Sequence, residues 1–225
     1  MRVRTRRIAA VSAASTLAVL LSGCGTADAW SGPPADSAPI GTLAPGFTDA
    51  AAPPAPEATI TPRAGTWDAV HPPQGYRVVL LTAGDDPASA AIAAAVEDWA
   101  ADEGVSLRTV AVTELDRSVD GIVEAMELEP ELIISAGAAL VDPLAVVTAN
   151  HLDRQFLLVG AQLPEPTGNV TAAIWEGASS RGSELDAGLP TNESAPVAPE
   201  QADTALRAGV ASVLSGITGI VVWLD

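Results

Sequence analysis

A three-layer, doubly wound α/β fold with a mostly parallel sheet is predicted by three observations. First, short uninterrupted apolar runs recur: Arg77–Ala83 (RVVLLTA), Leu132–Ser135 (LIIS) and Phe156–Val159 (FLLV). Runs of this kind, without polar alternation, read as strands buried on both faces. Second, helical apolar periods separate them, as in Ile92, Val96 and Trp99 at i, i+4 and i+7. Third, turn residues punctuate the joins, with Gly84-Asp85-Asp86-Pro87 before one helix and Gly104 after it. Regular alternation of strand and helix demands crossover connections, hence a parallel sheet with helices on both faces.

The elements follow in order. Arg77–Ala83 is the first strand. Asp86 is placed to cap the next helix and Pro87 to take its first position. Leu107–Val112 is the second strand. Val119, Ile122, Val123 and Met126 mark a second helix, ended by Pro130. The third strand breaks at Gly137, and Asp142-Pro143 starts a third helix with Leu144 and Val147 inward. Phe156–Val159 and Val170–Trp175 are the fourth and fifth strands. Leu163–Gly168 is too short for a helical crossover, so the fifth strand comes from an extended return or a hairpin. Pro199 opens a last helix carrying Ala205, Leu206, Val210, Val213 and Leu214 on one face, and Ile217–Leu224 is a closing strand or buried tail. The expected strand order is 2-1-3-4, continuing outward to the fifth.

What precedes this domain is of a different kind. Met1–Arg7 carries four arginines, and Ile8–Leu21 is apolar or small without charge or proline. That is the layout of a signal peptide, too short to span a bilayer. It closes on Leu21-Ser22-Gly23-Cys24, which resembles the bacterial lipobox. In that motif the segment before the cysteine is cut away, and the thiol of the new first residue receives a diacylglycerol. Residues 1–23 are thus expected to be a lipoprotein signal peptide, with Cys24 the lipidation (palmitate-bearing) site. Two acyl chains give stable attachment to a membrane. From residue 24 to 75 Ala, Pro, Gly, Ser and Thr dominate, so a disordered linker is expected, with Trp30, Phe47 and Trp67 as isolated aromatics. Residues 76–225 form the single α/β domain.

Charge excludes several partners. The chain has no lysine; of its 11 arginines four lie in the signal segment, leaving seven against 28 acidic residues and a formal balance of −21. Such a surface repels nucleic-acid phosphates, so no nucleic acid is expected as a partner. Cys24 is the only cysteine, and His71 and His151 stand apart, so neither a metal site nor a Ser-His-Asp triad is expected. A phosphate loop of the GxxxxGK[ST] type needs a lysine the chain lacks. No enzyme chemistry and no cofactor follow from these residues.

In an open parallel sheet, ligands bind beyond the carboxyl ends of the strands. That edge is built here from Gly84-Asp85-Asp86, Ser135-Ala136-Gly137, Gly160-Ala161-Gln162 and Glu176-Gly177. Asp86 and Asp142 are candidate acceptors for ligand hydroxyls, a role with which helix capping competes. The run from Pro130 to Gln162, followed by Gly168-Asn169-Val170-Thr171, resembles the basic membrane protein (BMP) family. These are lipoprotein substrate-binding components of ABC transporters with the type I periplasmic-binding fold, and several bind nucleosides. Gly137, Asp142, Asn169 and Val170 fit the family pattern, and Glu176-Gly177 keeps part of a further segment. The resemblance covers about one lobe. It implies ligand-binding candidates at Asp86, Gly137, Asp142 and Glu176, and a cell-membrane location on the extracytoplasmic face. An ABC permease and a small polar ligand of the nucleoside class are the implied partners. The aromatic that family members carry after the glycine is Ala138 here. The alternative is therefore a reduced single-lobe relative that binds no ligand and serves as an envelope interaction lipoprotein.

Overall fold

The computed structural model describes residues 29–32, 38–49, 51–180 and 197–225; Cys24 and the expected signal peptide lie outside the described residues. Its main sheet has seven strands. In chain order they are β1 (Thr59–Ile60), β2 (Arg77–Ala83), β3 (Ser106–Val112), β4 (Leu132–Ala136), β5 (Phe156–Val159), β7 (Val170–Trp175) and β9 (Val221–Leu224). The spatial order is β1-β9-β7-β5-β4-β2-β3, and every pairing is parallel. Two short strands, β6 (Ala161–Gln162) and β8 (Ser179–Ser180), pair separately. The expected order is present: the first and third apolar runs are neighbours at the centre, Val79 opposite Ile133 and Leu80 opposite Ile134.

Helices cover both faces. α1 (Pro87–Glu103) and α4 (Pro199–Leu214) lie on one, α2 (Ser118–Glu127) and α3 (Val141–Thr148) on the other. Strand alternation sorts the core accordingly. Val78, Leu80, Ile134 and Leu157 pack toward α1 and α4; Val79, Leu81, Ile133 and Phe156 pack toward α2 and α3. On α1 the stripe Ile92, Val96 and Trp99 is buried, and Gly104 ends the helix at φ 68°, a conformation that costs a glycine little. On α2 the expectation holds only in part. Ile122 and Met126 point inward, but Val119 and Val123 are exposed, because Gly121 and Ala125 take the inward positions beside them. Gly121 approaches Val112 so closely that a Cβ there would fall 2.6 Å from its Cγ2.

The connection from β5 to β7 is the extended return, and β7 runs parallel to β5. Asn169, buried just before β7, holds this return in place. Its Nδ2 donates to the carbonyls of Thr148, His151 and Arg154 at 3.2, 3.0 and 2.9 Å, while its Oδ1 accepts from Thr167 Oγ1 at 2.6 Å.

The expected linker is corrected over 38–49 and 51–75, which dock on the domain. Phe47, Trp67 and Val70 are buried in the same cluster as α1 and α4. The Phe47 and Trp67 rings meet edge to face, 6.3 Å apart at 78°. β1 adds an edge strand to β9, Thr59 opposite Val221. His71 Nδ1 lies 2.9 Å from Glu103 Oε2 at the end of α1, and Glu103 Oε1 takes Arg207 Nη1 of α4 at 3.0 Å. Burial works to lower the Arg207 pKa, but the bond to Asp203 and the charges of Asp203, Glu103 and Asp102 raise it above its ordinary value. The physical reason for the correction is tertiary. Too few apolar residues occur here to fold alone, but Phe47, Trp67 and Val70 find places on a surface that the domain already supplies.

Candidate functional site at the carboxyl edge of the sheet

The order of the strands reverses between β2 and β4. The chain leaves β2 toward α1 on one face and leaves β4 toward α3 on the other, so their loops diverge, the arrangement at which open α/β sheets commonly form a crevice. Two of the loops that carry predicted residues flank it. Gly84, Asp85 and Asp86 follow β2, and Gly137 to Leu140 follow β4. Asp142 stands in the first turn of α3, exposed. Glu176 is exposed in the turn after β7, two strands beyond β4, which is roughly 10 Å at the spacing of a sheet. The fold therefore gathers Asp86, Gly137 and Asp142 at the switch point and leaves Glu176 to one side.

Their local chemistry differs from residue to residue. Asp86 caps α1: its Oδ1 accepts from the Ser89 N–H at 2.9 Å, so one oxygen is committed to the helix. Asp142 is not a cap. α3 begins one residue earlier than expected, at Val141, and the carboxylate sits inside the first turn, where its charge complements the helix dipole. Gly137 has φ 75°, and a Cβ placed on it would fall 2.0 Å from Ser89 Oγ. Only glycine fits there. Ser89 was not legible as a site residue, since a serine in a first helical turn carries no signal of its own. It is 6% exposed, and its hydroxyl has no hydrogen-bond partner among the described residues.

The floor of this edge is closed by the domain's own side chains. A Cβ on Gly160, at the end of β5, would fall 2.7 Å from Ile92 Cδ1 and 3.1 Å from Trp175 Cη2. Three described cavities lie elsewhere. One of about 410 Å³ is lined by Arg63, Trp67, Thr204 and Leu224 beside β9; one of about 330 Å³ by Phe47, Asp49 and Ile60; one of about 160 Å³ by Glu114, Arg117 and Asp120 beside β3. Among the described residues no group of three or more His, Cys, Asp or Glu is placed to hold a metal ion, and no helix is long and apolar enough to cross a membrane.

The fold defines a class: an open, parallel α/β sheet flanked by helices, with a topological switch point at its carboxyl edge. No protein-family model and no curated protein matches the chain. Among solved structures, an ABC transporter system solute-binding protein from Aeropyrum pernix K1 is 18% identical over 47% of this chain and 29% of its own, with a TM-score of 0.41. The periplasmic ribose ABC transporter of Conexibacter woesei DSM 14684 is 18% identical over 68% of this chain and 54% of its own, TM-score 0.37. An ABC transporter solute-binding protein from Bradyrhizobium sp. BTAi1, with bound bis-tris, is 13% identical over 83% of this chain and 58% of its own, TM-score 0.36. The chain thus spans 29% of the length of the Aeropyrum protein, and these are likenesses to parts of larger molecules.

Proposed function

We propose that the chain is a lipid-anchored, extracytoplasmic binding protein of the solute-binding type, resembling the BMP components of ABC importers. Its recognition surface is the carboxyl edge at the β2/β4 switch point. The observation that carries the reading is the divergence of the β2 and β4 loops, with Asp86, Gly137 and Asp142 beside the crevice. The Leu21-Ser22-Gly23-Cys24 motif supports the anchor and the location. A small polar ligand, a nucleoside by the family resemblance, would be met there by α1's first turn and the Asp142 carboxylate.

The crevice is shallow, since Ser89 lies under Gly137 and Ile92 and Trp175 close on Gly160. A ligand held from one side keeps much of its surface wet. Binding by this chain without a partner is therefore expected to be no tighter than about millimolar, roughly −4 kcal/mol. Calorimetry on the unacylated Cys24→Ala chain with a panel of nucleosides measures this. A micromolar constant, lost in Asp142→Ala, would show that the chain binds solute unaided. The filled floor favours a second reading, in which the same edge docks an envelope protein and no solute. Micromolar solute binding would exclude that reading, whereas solute binding that appears only with the importer's permease present would support the first with a shared site.

A further inference from the structure

The amino edge of the sheet, opposite the crevice, carries a feature that the function above does not use. Trp30 lies beside two guanidinium groups, with Arg108 Cζ 4.5 Å and Arg77 Cζ 5.6 Å from its ring centroid. Arg77 is 4% exposed, and its guanidinium donates to the Gly32 carbonyl. The indole also packs against the cluster beneath α2 and α3. Arg77 opens β2, and Arg108 pairs with Val79 one strand over, so the ring is held across the first residues of two adjacent strands. A cation beside an aromatic face attracts it more strongly where water is excluded, and Arg77 is nearly inaccessible.

We propose that this clamp holds the domain close to the bilayer, with the amino edge of the sheet toward the lipid and the carboxyl edge away from it. The inference rests on the acylation of Cys24 proposed above. Six residue steps separate Cys24 from Trp30 in the sequence. Fully extended, they reach about 20 Å. Without the clamp the free tether would run the fourteen steps to Ala38, where the docked segment begins, averaging about 20 Å end to end with a full reach of about 48 Å. With Trp30 seated, the lipid-bearing end instead starts from one fixed corner of the domain, beside the amino ends of β2 and β3. β2 has seven residues, a rise of about 23 Å. The carboxyl edge therefore stands between about 23 Å and about 43 Å from the lipid, the strand alone and the strand plus the fully extended tether. The partner that fits that edge is a protein with an extracytoplasmic portion tall enough to reach it, not one flush with the membrane surface.

The test uses the full acylated protein in phosphatidylcholine vesicles that carry a fluorescent acceptor lipid. Acylation consumes the only native thiol, so an introduced cysteine is a unique site for a donor dye. Leu152→Cys labels the amino-edge loop before β5, and Asp85→Cys labels the carboxyl-edge loop after β2; both positions are exposed. Energy transfer to the lipid is expected to be stronger from position 152 than from position 85. Trp30→Ala, and to a lesser degree Arg108→Gln, should reduce that difference by loosening the tether back to the segment docked from Ala38, while thermal unfolding stays cooperative. Equal transfer from the two positions, or a difference untouched by both variants, would overturn the clamp. Mass spectrometry of the same sample separates the two failures: a protein without acyl chains sinks the reading of Cys24 and this inference with it, whereas an acylated protein with equal transfer sinks the inference alone.

Discussion

Asn169 and Tyr76 show how single residues at the amino edge set the stability of the domain. Asn169 offers two amide protons to the carbonyls of Thr148, His151 and Arg154, the first two of which also accept a backbone N–H. Asn169→Ala removes these bonds from a side chain in a residue 2% exposed, so a loss of about 1–3 kcal/mol is expected, read from the denaturant midpoint. A loss below about 0.5 kcal/mol would mean that other groups satisfy the loop. Tyr76 lies buried where the docked segment enters β2. Burial first, and then the nearby charge of Glu131, push its pKa well above the ordinary value of 10.0. The folded chain then keeps the phenolic proton where the unfolded chain sheds it. The resulting stability is fully present below about pH 10 and falls as pH rises beyond it. The sequence makes this easy to see, because Tyr76 is the only tyrosine and the chain has no lysine. Tyrosinate absorbance should appear together with unfolding in a base titration, and Tyr76→Phe should remove part of the decline. Absorbance that rises near pH 10 in the folded protein would contradict the burial.

At the scale of elements, the strands and helix ends were legible and the facing of some helices was not. The bounds of β2, β5 and β7 follow directly from their apolar runs, since a strand buried on both faces needs no alternation to be seen. Asp86, Pro87 and Gly104 mark α1 because caps act through local backbone chemistry. α2 was harder. Its inward positions include Gly121 and Ala125, which are small enough to let the helix approach β3 and leave Val119 and Val123 outside. A pattern that counts only large apolar residues misplaces that face. Two substitutions test the difference. Trp99→Ala removes a side chain that is 2% exposed against the sheet and should cost on the order of 3–5 kcal/mol. Val119→Ala, at 49% exposure, should change stability by less than about 0.5 kcal/mol. Comparable losses at the two positions would reverse the assignment of faces. Of the candidate site, the loops at the switch point were legible from strand ends and glycines. The Ser89–Gly137 contact and the closure over Gly160 were not, because they depend on side chains from α1 and β7 that only the fold brings together.

The whole molecule is larger than its periodic part. Sequence places the start of the domain at Tyr76, where the first long apolar run begins, and assigns everything earlier to a tether. A strand of two residues and three scattered core residues carry no period, so nothing local announces them. Their contribution is collective. β1 covers the open edge of β9, Phe47 and Trp67 pack edge to face beside α4, and His71 ties the segment to α1 through Glu103. A chain that begins at Tyr76 would expose that edge together with the apolar surface beneath the two rings. Exposed strand edges and apolar patches are both routes to self-association. Deletion of residues 1–75 is therefore expected to cost at least as much as one large core truncation, on the order of 3–5 kcal/mol, and to promote binding of an apolar dye. Deletion of residues 1–37 alone should leave cooperative unfolding intact, because the docked segment from Ala38 onward is kept. Equal unfolding midpoints for the two truncated chains would show that the segment rides on the domain without stabilising it, and would return the boundary to Tyr76.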